Sequence, residues 1–282
     1  MRRPGMVAAL ASAVALGVLV SSATGAGPAP GVLQGPPGIA VAGRAHVVAT
    51  PLAGQTRVQL IRDRDRAVIR TRLLAGKLGV PQATLFGTVE GTWAKGRWLM
   101  LSTSIYDNAA STRLVVLDTR TLAALRTIAL PGAFAFDALS PDGRRLYVTQ
   151  FPNGLNGPIR YVVRSLVLAT GRLEPGAIVD KTEPDEQMVG MPMARAWSRD
   201  GATAFTLYNG PESHAFIHAL DTMKCSARCI DLPWQGDAQN GLDRVRMSVD
   251  AAGIVTLSQP GVGVLARVDT RTFAVEAVHA PA

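Results

Sequence analysis

After residue 38 short apolar-rich, β-type runs recur between polar turns, and where such a run alternates apolar and polar residues it reads as a strand. No stretch beyond the N-terminal segment keeps the period of a helix. The pattern is clearest between residues 134 and 173. Phe134 to Leu139 is a short apolar-rich run, and Ser140-Pro141-Asp142-Gly143 supplies a turn. Proline fixes φ there, aspartate caps locally and glycine accepts a positive φ. Arg144 to Gln150 alternates and contains Leu146, Tyr147 and Val148. Tyr161 to Leu168 is a third predicted strand, Ala169-Thr170-Gly171 turns the chain again, and a fourth strand begins at Leu173.

The same order recurs along the chain. Gly43, Gly96, Gly143, Gly201 and Gly253 mark equivalent turns, spaced 53, 47, 58 and 52 residues apart. In the second unit Trp98 to Thr103 and Arg113 to Leu117 precede Asp118-Thr119, followed by Leu125 to Leu130. In the fourth, Ala204 to Tyr208 and Ala215 to Leu220 precede Asp221-Thr222. In the fifth, Ile254 to Ser258 and Val264 to Val268 precede Asp269-Thr270, with Phe273 to Val278 outermost. The first is looser, with His46 to Thr50, Arg57 to Ile61 and Ala67 to Leu74. A unit repeated at a near-constant period defines the architecture before any single residue does. Four antiparallel strands in each unit is the layout of a propeller blade. The expectation is therefore an all-β chain, a single β-propeller of four-stranded blades over residues 38–282.

Two stretches also resemble a known group of proteins. Ser140-Pro141-Asp142-Gly143-Arg144-Arg145-Leu146-Tyr147-Val148-Thr149 and the Val116 to Thr119 turn are similar to the bacterial β-propeller repeats of the YVTN, TolB-like and WD40-like type. The fourth and fifth units keep only Ser-x-Asp-Gly and Asp-x-x-Gly. The resemblance implies a fold and not a chemistry, since such propellers serve as scaffolds, binding surfaces and, less often, enzymes. Typical relatives carry six or seven blades, whereas five repeats are visible here.

The N-terminus carries its own message. Arg2 and Arg3, the apolar run Met6 to Val20 and the small residues Ser21 to Ala26 form a signal peptide over residues 1–26. Residues 27–37, rich in Gly and Pro, read as a flexible lead-in. No later segment is apolar and long enough for a transmembrane helix, so the mature chain is expected to be secreted or extracytoplasmic, as a monomer. The formal charge of +8 favours anionic envelope polymers or lipid headgroups at long range, although solubility alone accounts for it. Cys225 and Cys229 are the only cysteines, and an even count in an exported chain favours a disulfide. Their spacing suggests two sulfurs on opposing strands at the base of a hairpin.

Catalytic chemistry is harder to find. No G-x-S-x-G, Gly-rich phosphate loop or H-E-x-x-H occurs. The acidic run Asp180 to Gln187 matches no calcium-loop pattern, and His214 and His218 lack the partners of a zinc set, so neither metal nor cofactor is expected. Arg57 to Arg72 holds six arginines with Asp63 and Asp65 interleaved, a device that discourages edge pairing or, read functionally, an anion-binding rim. They lack interleaved aromatics, which argues against nucleic acid. Trp93, Trp98, Trp197 and Trp234 read as core packing ahead of a sugar-stacking platform. Propeller sites gather in loops, which makes Tyr106, Asp107, Asn108, Asn153, Asn156, Asp185, Glu186 and His214 the candidate binding residues. The functional expectation is a non-enzymatic binding or scaffold module for a protein, peptide or glycan partner. A lactonase-like or glycan-acting hydrolase with a site in the central channel is the rival.

Overall fold

Turn chemistry sets the blades, and the turns come out where the glycines mark them. In a computed structural model, residues 29–281 are described apart from 108–109, 156–159, 183–187, 211–213 and 235–240. A short β1 (Val32–Leu33) leads in. Blade 1 follows as β2 (Ile39–Val41), β3 (Ala45–Leu52), β4 (Gln55–Arg62) and β5 (Val68–Ala75). β6 (Val80–Pro81) pairs back onto β1. Blade 2 is β7 (Thr92–Trp93), β8 (Trp98–Ser102), β9 (Ser111–Asp118) and β10 (Ala124–Pro131). Blade 3 is β11 (Ala133–Leu139), β12 (Arg145–Phe151), β13 (Val162–Val167) and β14 (Arg172–Leu173). Blade 4 is β15 (Met191–Trp197), β16 (Thr203–Asn209), β17 (Ala215–Asp221) and β18 (Ser226–Asp231). Blade 5 is β19 (Arg246–Val249), β20 (Ile254–Gln259), β21 (Gly263–Asp269) and β22 (Val275–Ala277). Each blade is a four-stranded antiparallel meander, and the fold is a β-propeller.

The repeat signature has a mechanical explanation. All five marker glycines sit between the first and second strands of their blades with φ between +66° and +86°, where a side chain would strain the backbone. The aspartate of each Asp-Thr pair ties its own turn: Asp118 Oδ1 accepts the N–H groups of Arg120 and Thr121, and Asp221 and Asp269 do the same in blades 4 and 5. The threonine stitches that turn to the glycine turn beside it. Thr119 Oγ1 donates to the Gly96 carbonyl at 2.8 Å, and Thr222 Oγ1 donates to Ala202 at 2.7 Å. One rim of the propeller is thus a set of paired, hydrogen-bonded turns.

Apolar packing joins the blades face to face. Val58 and Leu60 of blade 1 meet Leu99 and Leu117 of blade 2, and Met100 and Val116 meet Phe136 and Leu146 of blade 3. Tyr147 and Val163 meet Ala204 and Leu220 of blade 4, whose Phe205 and Ile217 meet Val255 and Leu257 of blade 5. Among the described residues no such core joins blade 5 to blade 1. Burial follows: β12 and β16 are covered on both faces, whereas β4 and β20 bury alternate residues only.

The disulfide expectation is corrected here. No bond joins Cys225 and Cys229. The hairpin between β17 and β18 turns at residues 222–225, so Cys225 closes the tip while Cys229 lies on the outgoing arm, where it faces His218 across the sheet. Three strand steps of about 3.3 Å carry Cys229 roughly 10 Å from Ser226 at the end of the tip, beyond the approximately 7 Å limit between Cα atoms for a bridge. Tyr147 Oη instead lies 3.1 Å from Cys225 Sγ.

Candidate functional site

Three charged residues from three blades converge near the propeller axis. Each belongs to, or leads into, a first strand: Glu90 precedes β7, Asp137 lies in β11 and Arg195 in β15. Asp137 is the extra residue where the β11–β12 register shifts between Phe136 and Ala138. Such a bulge re-aims a side chain. Arg195 Nη2 donates to Asp137 Oδ1 at 2.5 Å, and Nη1 donates to the Asp137 carbonyl. Its Nε donates to Thr206 Oγ1 at 3.0 Å, and Nη1 lies 3.5 Å from Glu90 Oε2. Trp197 Nε1 donates to the other Glu90 oxygen at 2.9 Å.

Burial sorts the three groups. The Arg195 and Asp137 side chains are 1% and 2% exposed, whereas Glu90 keeps 15%. Burial pushes the Glu90 pKa up, against the pull of Arg195 and the Trp197 hydrogen bond. Burial works to lower the Arg195 pKa, but the two carboxylates outweigh it and raise it. Fully ionised, the cluster carries a formal charge of −1. Asp137 Oδ2 has no hydrogen-bond partner, and neither does either ring nitrogen of His218 nearby in blade 4. Burial holds the His218 pKa below its ordinary value. His218 meets the Tyr208 ring edge-on at 6.3 Å, in a row of rings running Phe151, Tyr161, Tyr208, Phe216 with centroids 5.2–6.2 Å apart.

Glu90 opens into a cavity of about 440 Å³. Its lining comes from four blades and includes Ile39, Trp93, Leu139, Pro141 and Trp197. Because Ser140, Pro141 and Gly201 are turn residues between first and second strands, the cavity opens at the glycine-turn rim. Its size suits a small ligand or one side chain of a partner.

The loop residues singled out from the sequence lie elsewhere. Tyr106, Asn153 and His214 all sit on connections between second and third strands, at the opposite rim. Tyr106 donates its hydroxyl to the Ala29 carbonyl at 2.6 Å and so anchors the lead-in segment. Asp107 faces Lys77 at 3.7 Å. Asn153 and His214 are exposed. Asn108, Asn156, Asp185 and Glu186 fall outside the described residues, as does the predicted signal peptide. Sequence reasoning missed Glu90, Asp137 and Arg195. The available signal was a lone charge inside an apolar run, as in Phe134 to Leu139.

No family model matches the chain, and no curated protein matches it either. Solved structures do. TolB from Acinetobacter baumannii is 15% identical over 83% of this chain and 56% of its own, with a TM-score of 0.39. The β-propeller domain of Cps50 (Swd1) from Myceliophteria thermophila is 9% identical over 88% and 70% of the two chains, at 0.49. A putative 6-phosphogluconolactonase from Bacteroides uniformis is 14% identical over 85% and 68%, at 0.48. The chain spans little more than half the length of the TolB structure, and these likenesses concern the fold alone.

Proposed function

We propose that this protein is an exported β-propeller whose axial cavity binds a small group, one side chain or sugar, presented by a protein, peptide or glycan of the envelope or medium. One observation carries the reading: Glu90 is the single titratable residue among the twelve that line the cavity. A lone acid flanked by two indoles is a recognition set. Glycoside hydrolysis ordinarily needs two carboxyl groups facing the substrate, and Asp137 is shut behind Arg195. The residual negative charge and the Trp93 and Trp197 rings favour a cationic group, which carboxylates and aromatic faces both attract.

Tryptophan emission reports on the site directly. Titration with lysine- and arginine-bearing peptides and with neutral oligosaccharides is expected to change it saturably for one class. Glu90→Gln weakens that binding by about tenfold or more, the scale of a lost charged hydrogen bond. Equal binding by Glu90→Gln removes the axial cavity from consideration. Export is tested separately, by N-terminal sequencing of the mature protein, which is expected to begin at Gly27.

The hydrolase reading keeps one observation in its favour: a buried carboxyl with a raised pKa is poised as a proton donor. Turnover of chromogenic lactones or glycosides that is abolished in Glu90→Gln supports it, and absence of turnover leaves the binding module.

A further inference from the structure

β5 differs from the outer strands of the other blades. β14 and β22 are two and three residues long. The edge of β18 is covered, because Asp180 bridges to Ala227 and its carboxylate accepts the Cys229 N–H at 2.8 Å. β10 is as long as β5 but buries Ile128 and Leu130. β5 runs for eight residues, pairs only with β4, and has every residue but Leu74 exposed. Apart from the Ala75 carbonyl, which accepts from Arg113, its outer edge has no backbone partner among the described residues and offers N–H and C=O groups to solvent. Natural sheets ordinarily shorten or cover such an edge.

The side chains sort by face. Pairing with β4 puts Arg70, Arg72 and Leu74 beside Leu60, Val58 and Thr56. Val68, Thr71 and Leu73 stand beside Ile61, Gln59 and Arg57 on the other face, with Ile69 as the extra residue at a register shift. Arg62 and Arg64 both reach Asp65. Arg70 and Arg72 have no ion-pair or hydrogen-bond partner among the described residues. Val68 and Leu73 are 50% and 54% exposed. The edge therefore presents two unpaired cations on one face, about 7 Å apart along the strand, and two bare apolar side chains on the other.

We infer that β5 is a docking edge for an acidic, strand-forming segment of a partner protein, which adds a fifth strand to blade 1. The main-chain ladder supplies affinity and alternate side chains supply selectivity. Carboxylates on the incoming strand face Arg70 and Arg72, and apolar residues at the intervening positions cover Val68 and Leu73. A second copy of this chain is a poor occupant. Symmetric antiparallel pairing about Thr71 sets Arg70 opposite Arg72, and like charges directly across a ladder are destabilising.

The test uses the full chain and a fluorescein-labelled heptapeptide of alternating valine and glutamate, read by anisotropy. Saturable binding is expected, weakened about tenfold or more in Arg70→Glu/Arg72→Glu. Because both arginines are exposed and unpaired, the melting temperature of that variant stays at the parent value, which separates lost binding from lost folding. Two further peptides carry N-methyl groups on the amides of one edge or the other. At least one of them loses binding if a ladder forms. Binding that survives charge reversal, or that survives both methylation patterns, overturns the inference. So does attachment to phosphatidylglycerol vesicles through the same arginines without peptide binding. Glu90→Gln binds the peptide like the parent, which keeps this edge independent of the axial cavity.

Discussion

Arg195→Met asks how much the axial cluster contributes to holding the blades together. The guanidinium touches Asp137, Thr206 and Glu90, which belong to blades 3, 4 and 2. Methionine fills much of the same volume but leaves Asp137, 2% exposed and already lacking a partner at Oδ2, as a buried uncompensated carboxylate. Removing one member of a buried ion pair costs about 3–5 kcal/mol. In a chain of this size each kcal/mol moves the melting temperature by about 2–4 °C, so a drop of about 6–20 °C is expected. The loss also depends on pH. Arg195 holds the Glu90 pKa down against burial, so its removal lets that pKa rise further. A carboxyl whose folded pKa is raised destabilises the fold above that pKa, and the penalty fades as pH falls through it. The variant is therefore further below the parent at pH 8 than at pH 5. Urea denaturation followed by tryptophan fluorescence at both pH values measures this. A loss under about 1 kcal/mol at pH 8, or the same loss at both, would falsify the view that this arginine neutralises two buried acids.

The other predictions are shorter. Gly143→Ala places a Cβ 2.3 Å from the Trp93 indole at φ +66°, whereas Gly43→Ala at φ +86° meets open space. The second costs only the left-handed strain of about 1–2 kcal/mol, the first clearly more and with a shift in tryptophan emission; equal losses on chemical denaturation refute the packing. Protein purified without reductant and then unfolded is expected to titrate two thiols with Ellman's reagent, and a count of zero contradicts the β17–β18 register. His218 is held neutral by burial with its pKa lowered. The unfolded chain therefore takes up a proton first as pH falls below about 6.5, and stability declines there. His218→Phe removes that decline, and parallel stability–pH curves for parent and variant refute it.

What the sequence made legible and what it hid have different physical origins. Gly143, Asp142 and Ser140 announce a turn because their preferences are local: positive φ, an Asx cap and a hydroxyl that accepts the Arg145 N–H at 2.9 Å. The Asp118-Thr119 pair is legible for the same reason. The axial cluster is not, since Glu90, Asp137 and Arg195 stand far apart in the chain and meet only when three blades pack. The bulge that turns Asp137 inward leaves no mark in composition. The cysteines illustrate a subtler failure. Placing the hairpin tip at residues 226–228 makes the two sulfurs opposing neighbours, whereas the observed tip at 222–225 takes in Cys225 and leaves Cys229 partway along the outgoing arm. A shift of about four residues decides whether a bond can exist.

Among the described residues, apolar packing joins the five blades at four interfaces, which bears on cooperativity. In a sealed ring every blade has two neighbours, and the loss of any one opens the whole. Among the described residues blades 1 and 5 have one apolar partner each, so the molecule is expected to behave as a short linear array whose stability is a sum over adjacent interfaces. Opening is expected to run inward from the two flanks. Amide protons of β4, β5, β21 and β22 exchange early, and those of β12 and β16, covered on both sides, exchange last. An unfolding transition spread over several steps, with the third blade as its final survivor, is the thermodynamic signature expected of blades held by four interfaces in a row.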